Sequence, residues 1–175
     1  MNFKKLFKKR SLNYYLFYSM VISLSVFVDQ LTKWLATKFL MPVDTVPIIK
    51  DAVHLTYAEN RGAAFGMLAN APWVFNTVTI LTVIGLSLYL YLGHPAGVLY
   101  PTSIAMIIGG GIGNMIDRLC YGYVVDFIDF RIIDFAIFNG ADSFVCVGAG
   151  LLVLAMVLDI IKEAREEKRR KEGGQ

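Results

Sequence analysis

Charged residues are missing from the middle of this chain. Residues 62–116, a window of 55 positions, contain no Asp, Glu, Lys or Arg. Hydrophobic residues make up 56% of the 175 positions and the mean hydropathy is +0.55, whereas a soluble domain is normally less than half apolar. Since one membrane span needs ~20 residues, the uncharged window can hold two spans with a turn between them. The composition therefore indicates a membrane protein.

Cysteine and histidine are also scarce. The two cysteines, Cys120 and Cys146, lack the spacing of a zinc or redox motif. His54 and His94 are too few and too far apart to indicate a metal centre. We therefore expect no metal and no cofactor, and we interpret the cysteines as small apolar side chains.

Positive charge is concentrated at the two ends. Of the 17 basic residues, five lie within residues 4–10 and six within residues 162–171. Basic residues that flank spans stay in the cytoplasm, so both tails, residues 1–11 and 161–175, are expected to be cytoplasmic. This orientation requires an even number of spans. It also explains the basic tails without a nucleic-acid partner, and we expect none.

The apolar runs predict one integral membrane domain over residues 1–175. The first run resembles a signal peptide, but it is long and has no Ala-x-Ala-like exit, so we interpret it as an uncleaved span. The predicted spans cover about residues 12–34, 72–92, 99–117 and 142–160.

Two outer segments, about residues 40–71 and 119–141, connect these spans. β-branched and aromatic residues at 43–57 favour a small sheet or hairpin, and residues 124–127 fit either a short strand or a surface-lying stretch. The predicted fold class is an all-α membrane protein, a four-transmembrane-helix bundle with a small extracytoplasmic β element.

Polar residues occur near the outer ends of the spans. Asp29 and Lys33 are four residues apart, so they share a helix face and can pair. That pair either orients the helix or supports a site. The third span travels outward and ends at Asp117, and the fourth begins near Asp142 and travels inward. This topology brings Asp117 and Asp142 to the same outer end of adjacent spans.

Two adjacent carboxylates cannot both ionise easily, so the pair holds one proton. Such a pair can hydrolyse an amide: the ionised acid takes a proton from water, and the protonated acid assists the carbonyl or the leaving amine. The alternative is that each acid pairs with a basic neighbour, with Arg118 the obvious candidate for Asp117.

Five short motifs lie in register with the predicted spans. They are Asp29 with Lys33, and the stretches 59–66 (ENRGAAFG), 113–118 (GNMIDR), 125–127 (VDF) and 138–142 (FNGAD). Each motif is short, but in this order they resemble the signature blocks of the bacterial lipoprotein signal peptidase family, also called signal peptidase II. The resemblance covers essentially the whole chain.

The resemblance implies a membrane aspartic endopeptidase. Such an enzyme removes the signal peptide of a diacylglyceryl-modified prolipoprotein, cutting just before the lipidated cysteine. Asp117 and Asp142 are implied as the catalytic pair. Other residues are implied to shape the site, position substrate or hold the outer loop: Asn114, Arg118, Asn139, Ala141, Asn60, Gly62, Asp29, Lys33 and Asp126. Implied partners are the prolipoprotein, membrane lipid and globomycin-type inhibitors. The implied location is the bacterial cell membrane, with the site at the outer face.

The residues alone leave two other functions open. A small transporter or proton channel could use the same acids as a relay, but the inner halves of the predicted spans offer few polar residues to continue it. A non-catalytic assembly factor could be held together by the pairs Asp29–Lys33 and Asp117–Arg118, and it would tolerate Asp117→Glu.

Overall fold

A computed structural model of the chain describes residues 10–62, 72–93 and 95–173. Part of the predicted motif at 59–66 (residues 63–66), His94 and most of the amino-terminal tail lie outside the described residues. The elements follow in the order α1 (Leu12–Phe39), β1 (Thr45–Ile49), β2 (Val53–Asn60), α2 (Pro72–Leu88), a π-helical turn (Tyr89–Gly93), α3 (Leu99–Tyr121), β3 (Val124–Phe130), a 3-10 turn (Arg131–Ile133) and α4 (Gly140–Gly173).

The protein is mostly helical, and within the described residues four helices are long and apolar enough to cross a membrane. α2 ends at Leu88 and is followed directly by the π-helical turn. α1 continues beyond its predicted span to Phe39, and α4 runs without a break through the fourth predicted span to Gly173. Ion pairs at i,i+4, such as Lys171 with Glu167 at 2.6 Å, fit this continuation because each supports a helix by about 0.3–0.5 kcal/mol.

The outer β element is larger than a hairpin. The strands form one antiparallel sheet in the order β1-β2-β3, so the third strand comes from the second outer segment. Of the two readings left open for residues 124–127, the strand is therefore the correct one. Irregularities interrupt the register within β1–β2 and again between Leu55 and Ala58 of β2. The sheet therefore joins the segment between α1 and α2 to the segment between α3 and α4.

α3 packs against each of the other three membrane-length helices. Its glycines permit the closest of these approaches. A Cβ on Gly110 would collide with the backbone carbonyl of Ala141 in α4, and a Cβ on Gly113 would collide with the carboxylate of Asp29 in α1. Small residues let neighbouring membrane helices approach closely. Here they bring the polar side chains of α1, α3 and α4 within hydrogen-bonding distance.

The two charged residues in the middle of α1, Asp29 and Lys33, lie on its buried face. The buried members of this helix are Tyr18, Ser25, Asp29, Lys33 and Ala36, whereas large apolar side chains such as Leu16, Met20 and Phe27 are exposed. The distribution is inverted relative to a soluble helix, as expected where lipid replaces water around the protein.

We expect Gly113→Ala to destabilise the protein by about 1–3 kcal/mol, because the added methyl group forces the buried Asp29 carboxylate out of position. Thermal unfolding in detergent measures the loss. Gly85→Ala in α2 is the matched control, because a Cβ there meets nothing within 4 Å. Equal stability of the two variants would contradict this account of the helix contact.

Candidate active site

Lys33 lies at the centre of a buried polar network. Its side chain is only 3% exposed, and its ammonium group contacts Asp29 Oδ2 at 2.9 Å, Asp117 Oδ2 at 3.0 Å and Asn114 Oδ1 at 2.9 Å. Three acceptors use the three N–H donors of the lysine. The predicted Asp29–Lys33 pair is confirmed. Asp117 forms an ion pair with Lys33, on another helix, and Arg118, its neighbour in the sequence, lies within electrostatic reach of it.

Asp29 connects this network to the start of α4. Its Oδ1 accepts a hydrogen bond of 2.7 Å from the backbone N–H of Ala141, which is completely buried. The first N–H groups of a helix have no partner within the helix, so a carboxylate at this end satisfies a donor and interacts favourably with the helix dipole. Ala141 therefore contributes its backbone, and its small side chain keeps the approach open.

Asp142 is held at the same helix end by a reciprocal capping arrangement. Asn139 precedes the helix, and its Oδ1 accepts from the Asp142 backbone N–H at 3.0 Å. In return, Asp142 Oδ2 accepts from the Asn139 backbone N–H at 3.2 Å. This is the geometry of a capping box, with Asn and Asp in place of the usual Ser or Thr and Glu. The side chain of Asp142 is thereby fixed relative to the backbone.

Asn114 links Lys33 to Asp142. Its amide nitrogen donates to Asp142 Oδ1 at 2.8 Å, and its carbonyl oxygen accepts from both Lys33 and Asn139. Asp117 and Asp142 thus lie on opposite sides of the Lys33–Asn114 contact.

Asp126 lies in β3 and shares a donor residue with Asp142. Its Oδ1 accepts from Asn139 Nδ2 at 2.6 Å, and its Oδ2 accepts from Asn60 Nδ2 at 2.9 Å. The backbone N–H of Gly62 donates to Asn60 Oδ1 at 2.9 Å, which orients the Asn60 amide towards Asp126. Burial, together with the nearby charge of Asp142, raises the pKa of Asp126 to about 6, although the amides of Asn60 and Asn139 oppose the rise.

Asp117 has a different environment. Its Oδ1 accepts from Gln30 Nε2 at 2.8 Å, and its Oδ2 accepts from the backbone N–H of Val125 at 3.1 Å in addition to Lys33. Both oxygens are therefore bonded on the side of α1 and β3, and the residue is 1% exposed. Asn139, by contrast, donates a hydrogen bond to Asp142 and another to Asp126, so it holds these two acids near each other.

A cavity of about 600 Å³ opens beside Asp142. Its polar lining consists of Asn60, Gly62, Arg118, Asp142 and Ser143, with Cys146 one helical turn beyond Asp142. Arg118 also lies within electrostatic reach of Asp117, Asp126 and Asp142. The remaining wall is apolar: Phe130, Ile133, Phe135, Ala136, Ile137 and Phe138. Asp117 lines a separate pocket of about 330 Å³.

The sequence-based reasoning missed Gln30. Its side-chain amide donates to Asp29, to the Gly113 carbonyl and to Asp117, and it thereby joins α1 to α3. The available signal was an amide inside the first predicted span, three residues before Lys33 and therefore on the same helix face. The other predicted site residues in the described part of the chain belong to this network or line the cavity.

Four membrane-length helices in the described part of the chain, together with the cluster of carboxylates that α1, α3, α4 and β3 contribute, are typical of a multi-pass membrane protein with an acidic site. A family model described as signal peptidase (SPase) II matches residues 21–158. The chain therefore belongs to the signal peptidase II family, which is a family of peptidases.

Relatives and solved structures are similar over most of the chain. A lipoprotein signal peptidase of Caldanaerobacter subterraneus is 51% identical over 137 residues, covering 78% of this chain and 93% of the relative. One of Bacillus subtilis is 39% identical, covering 86% of this chain and 99% of the relative. A solved structure titled as a bacterial membrane enzyme is 31% identical with a TM-score of 0.77, covering 88% of this chain and 93% of the solved chain.

We expect Lys33→Met to destabilise the protein by about 3–5 kcal/mol, because it leaves two buried carboxylates without their cation. Adding Asp117→Asn should recover part of the loss. Unfolding in detergent measures both effects. Lys50→Met, at an exposed turn, should change stability by less than about 0.5 kcal/mol. An unaffected Lys33→Met protein would refute the central role of the ammonium group.

The raised pKa of Asp126 predicts a pH-dependent stability. Between its ordinary value of 3.8 and about 6, the folded protein keeps a proton that the unfolded chain releases. Stability therefore falls as pH rises through this window, by on the order of 3 kcal/mol. Relative to wild type, Asp126→Asn should become progressively more stable from pH 4.5 to 7.5 in thermal unfolding.

Asp129→Asn provides the control of opposite sign. Burial opposes ionisation of Asp129, but hydrogen bonds from Arg131 and Thr56 outweigh it and hold its pKa below the ordinary range. The stability from Asp129 is lost only as pH falls below that range. Its variant should therefore show a nearly constant offset from wild type between pH 4.5 and 7.5. A constant offset for Asp126→Asn as well would contradict the prediction.

Proposed function

We propose that this protein is a membrane-embedded aspartic endopeptidase. It removes the signal peptide from diacylglyceryl-modified prolipoproteins and cuts just before the lipidated cysteine. Membership of the signal peptidase II family and the names of the relatives support a prolipoprotein substrate. The observation that carries the aspartic mechanism is that Asn139 binds both Asp126 and Asp142, at the edge of a cavity large enough for a peptide segment.

We assign Asp126 and Asp142 as the catalytic pair, in place of the Asp117–Asp142 pair expected from the sequence. Asp142 lines the cavity, and Asn60, which also lines it, holds Asp126. The charge of Asp142 contributes to the raised pKa of Asp126, as expected for two acids that share one proton. Asp117 is neutralised by Lys33 and serves as a support for β3.

The two acids divide the proton transfers. Asp142, ionised, accepts a proton from water while the water oxygen bonds to the scissile carbonyl carbon. The tetrahedral intermediate then breaks its C–N bond, and the leaving nitrogen takes the proton that Asp126 held. Transfer of the first proton from Asp142 to Asp126 restores the starting state. The raised pKa of Asp126 suits the donor role, since the side chain keeps its proton up to about pH 6, well above the range of an ordinary aspartate.

The shape of the cavity suits a lipidated substrate. Its aromatic and aliphatic wall can hold apolar groups of the signal peptide. The diacylglyceryl group of the substrate stays in the membrane and keeps the cleavage site at the leaflet surface. The basic tails are cytoplasmic and the acids lie at the outer face, in the bacterial cell membrane. Globomycin-type inhibitors would act by occupying the cavity beside Asp142.

Cleavage of a purified, lipidated precursor tests the proposal. We expect Asp126→Asn and Asp142→Asn to lower kcat at least ~10⁴-fold, because each removes one of the two proton-transfer groups. Asp117→Asn should keep measurable turnover, since its amide oxygen can still accept from Val125, although the charge paired with Lys33 and the acceptor for Gln30 are lost. The same precursor without its lipid should be cut poorly.

The three variants also discriminate between the two possible pairs. If Asp126→Asn turns over normally while Asp117→Asn is folded and inactive, the catalytic pair is Asp117 with Asp142. If all three folded variants cleave normally, the protein is not an aspartic peptidase. Folding is monitored by thermal unfolding, so that loss of activity is not confused with loss of structure.

A further inference from the structure

A second pocket, of about 330 Å³, lies apart from the cavity beside Asp142. α1 contributes Gln30, Lys33, Trp34 and Thr37, α3 contributes Asp117 and Tyr121, and the start of the sheet contributes Tyr123 and Val125. The two spaces share none of their described lining residues. Pockets for small molecules measure about 300–1,000 Å³, so this one is large enough for a headgroup but not for a polypeptide.

The pocket has a closed floor and aromatic walls. Lys33 and Asp117 are almost fully buried, and their charges are already paired with each other. The groups available to a ligand are the indole N–H of Trp34 and the hydroxyls of Tyr121 and Tyr123, which can donate to phosphate or ester oxygens. Trp and Tyr concentrate where membrane helices meet the headgroup layer.

Two cations lie over aromatic rings that line the pocket. Lys38 Nζ is 4.9 Å from the centre of the Trp34 ring, and Arg61 Cζ is 5.6 Å from the centre of the Tyr123 ring. Cation–π contacts of this length hold a charge in place. Arg61 also contacts Glu59 at 3.2 Å, but that pair is largely exposed and therefore weak. One aromatic residue on the α1 side of the pocket and one on the sheet side thus each carry a cation over the ring.

We propose that this pocket binds the phosphate headgroup of an anionic phospholipid. Lys and Arg are the usual protein partners of phosphate, and basic residues at the membrane surface attract anionic lipids. The aromatic walls belong to the same ends of α1 and α3 that carry the active-site network. A bound headgroup would lie against Lys33 and Asp117, one side chain from the contacts that hold Asp126 and Asp142.

Tryptophan fluorescence tests the proposal without any measurement of cleavage. The chain has two tryptophans, so Trp73→Phe leaves Trp34 as the reporter. The protein is reconstituted in phosphatidylcholine vesicles with increasing amounts of brominated phosphatidylglycerol, which quenches on contact. We expect quenching well beyond that given by brominated phosphatidylcholine. The double variant Lys38→Ala/Arg61→Ala should bind the anionic lipid about thirtyfold more weakly.

The matched control is Lys50→Ala/Arg169→Ala, which removes one lysine and one arginine at exposed positions elsewhere. It should retain wild-type quenching. Equal quenching by the two brominated lipids would overturn the proposal, as would an equal loss in the control variant. Inorganic phosphate in the buffer should not displace the lipid. Displacement by inorganic phosphate alone would show that the pocket recognises a soluble anion instead.

Discussion

The site depends on one ammonium group buried among acids. Lys33 holds Asp29, Asp117 and Asn114, and each of these holds something else: Asp29 the first turn of α4, Asp117 the backbone of β3, and Asn114 the side chain of Asp142. An unpaired buried charge is far more costly than a lost surface pair. The three helices and the sheet therefore have to reach their positions together. Lys33 thus links the fold to the geometry of the site.

Close helix packing is the second requirement, and the glycines supply it. Inside a membrane there is no hydrophobic driving force for helices to associate, so close packing and hydrogen bonds must hold them together. Asp29 reaches the α4 backbone only because Gly113 leaves room for its carboxylate, and Gly110 lets α3 approach Ala141. The glycine-rich end of α3 is therefore part of the polar network, although it contributes no polar side chain.

Local patterns in the sequence predicted the features that depend on local spacing. The apolar runs gave four helices, and the i,i+4 spacing gave the Asp29–Lys33 pair. The partner of Asp117 could not be found this way. Arg118 is adjacent in sequence, but consecutive residues point to different helix faces, whereas Lys33 lies on another helix. The position of Asp126 depends on pairing between β2 and β3, whose strands are separated by two membrane-length helices. Its relation to Asn60 is therefore not visible in the spacing of residues.

The hydrogen-bond environments of the acids support the proposed division of roles between Asp117 and Asp126. Asp117 has a lysine, a glutamine amide and a backbone N–H around it, and these donors satisfy both of its oxygens. Asp126 accepts from two neutral amides and has a second carboxylate nearby, and its burial raises its pKa. Four acids in the cluster, Asp29, Asp117, Asp126 and Asp142, face two cations, Lys33 and Arg118. A proton kept by one of these acids reduces that imbalance, and the raised pKa of Asp126 favours this residue as the one that keeps it. The contacts therefore support the proposed roles, in which Asp117 is a support and Asp126 is the proton donor.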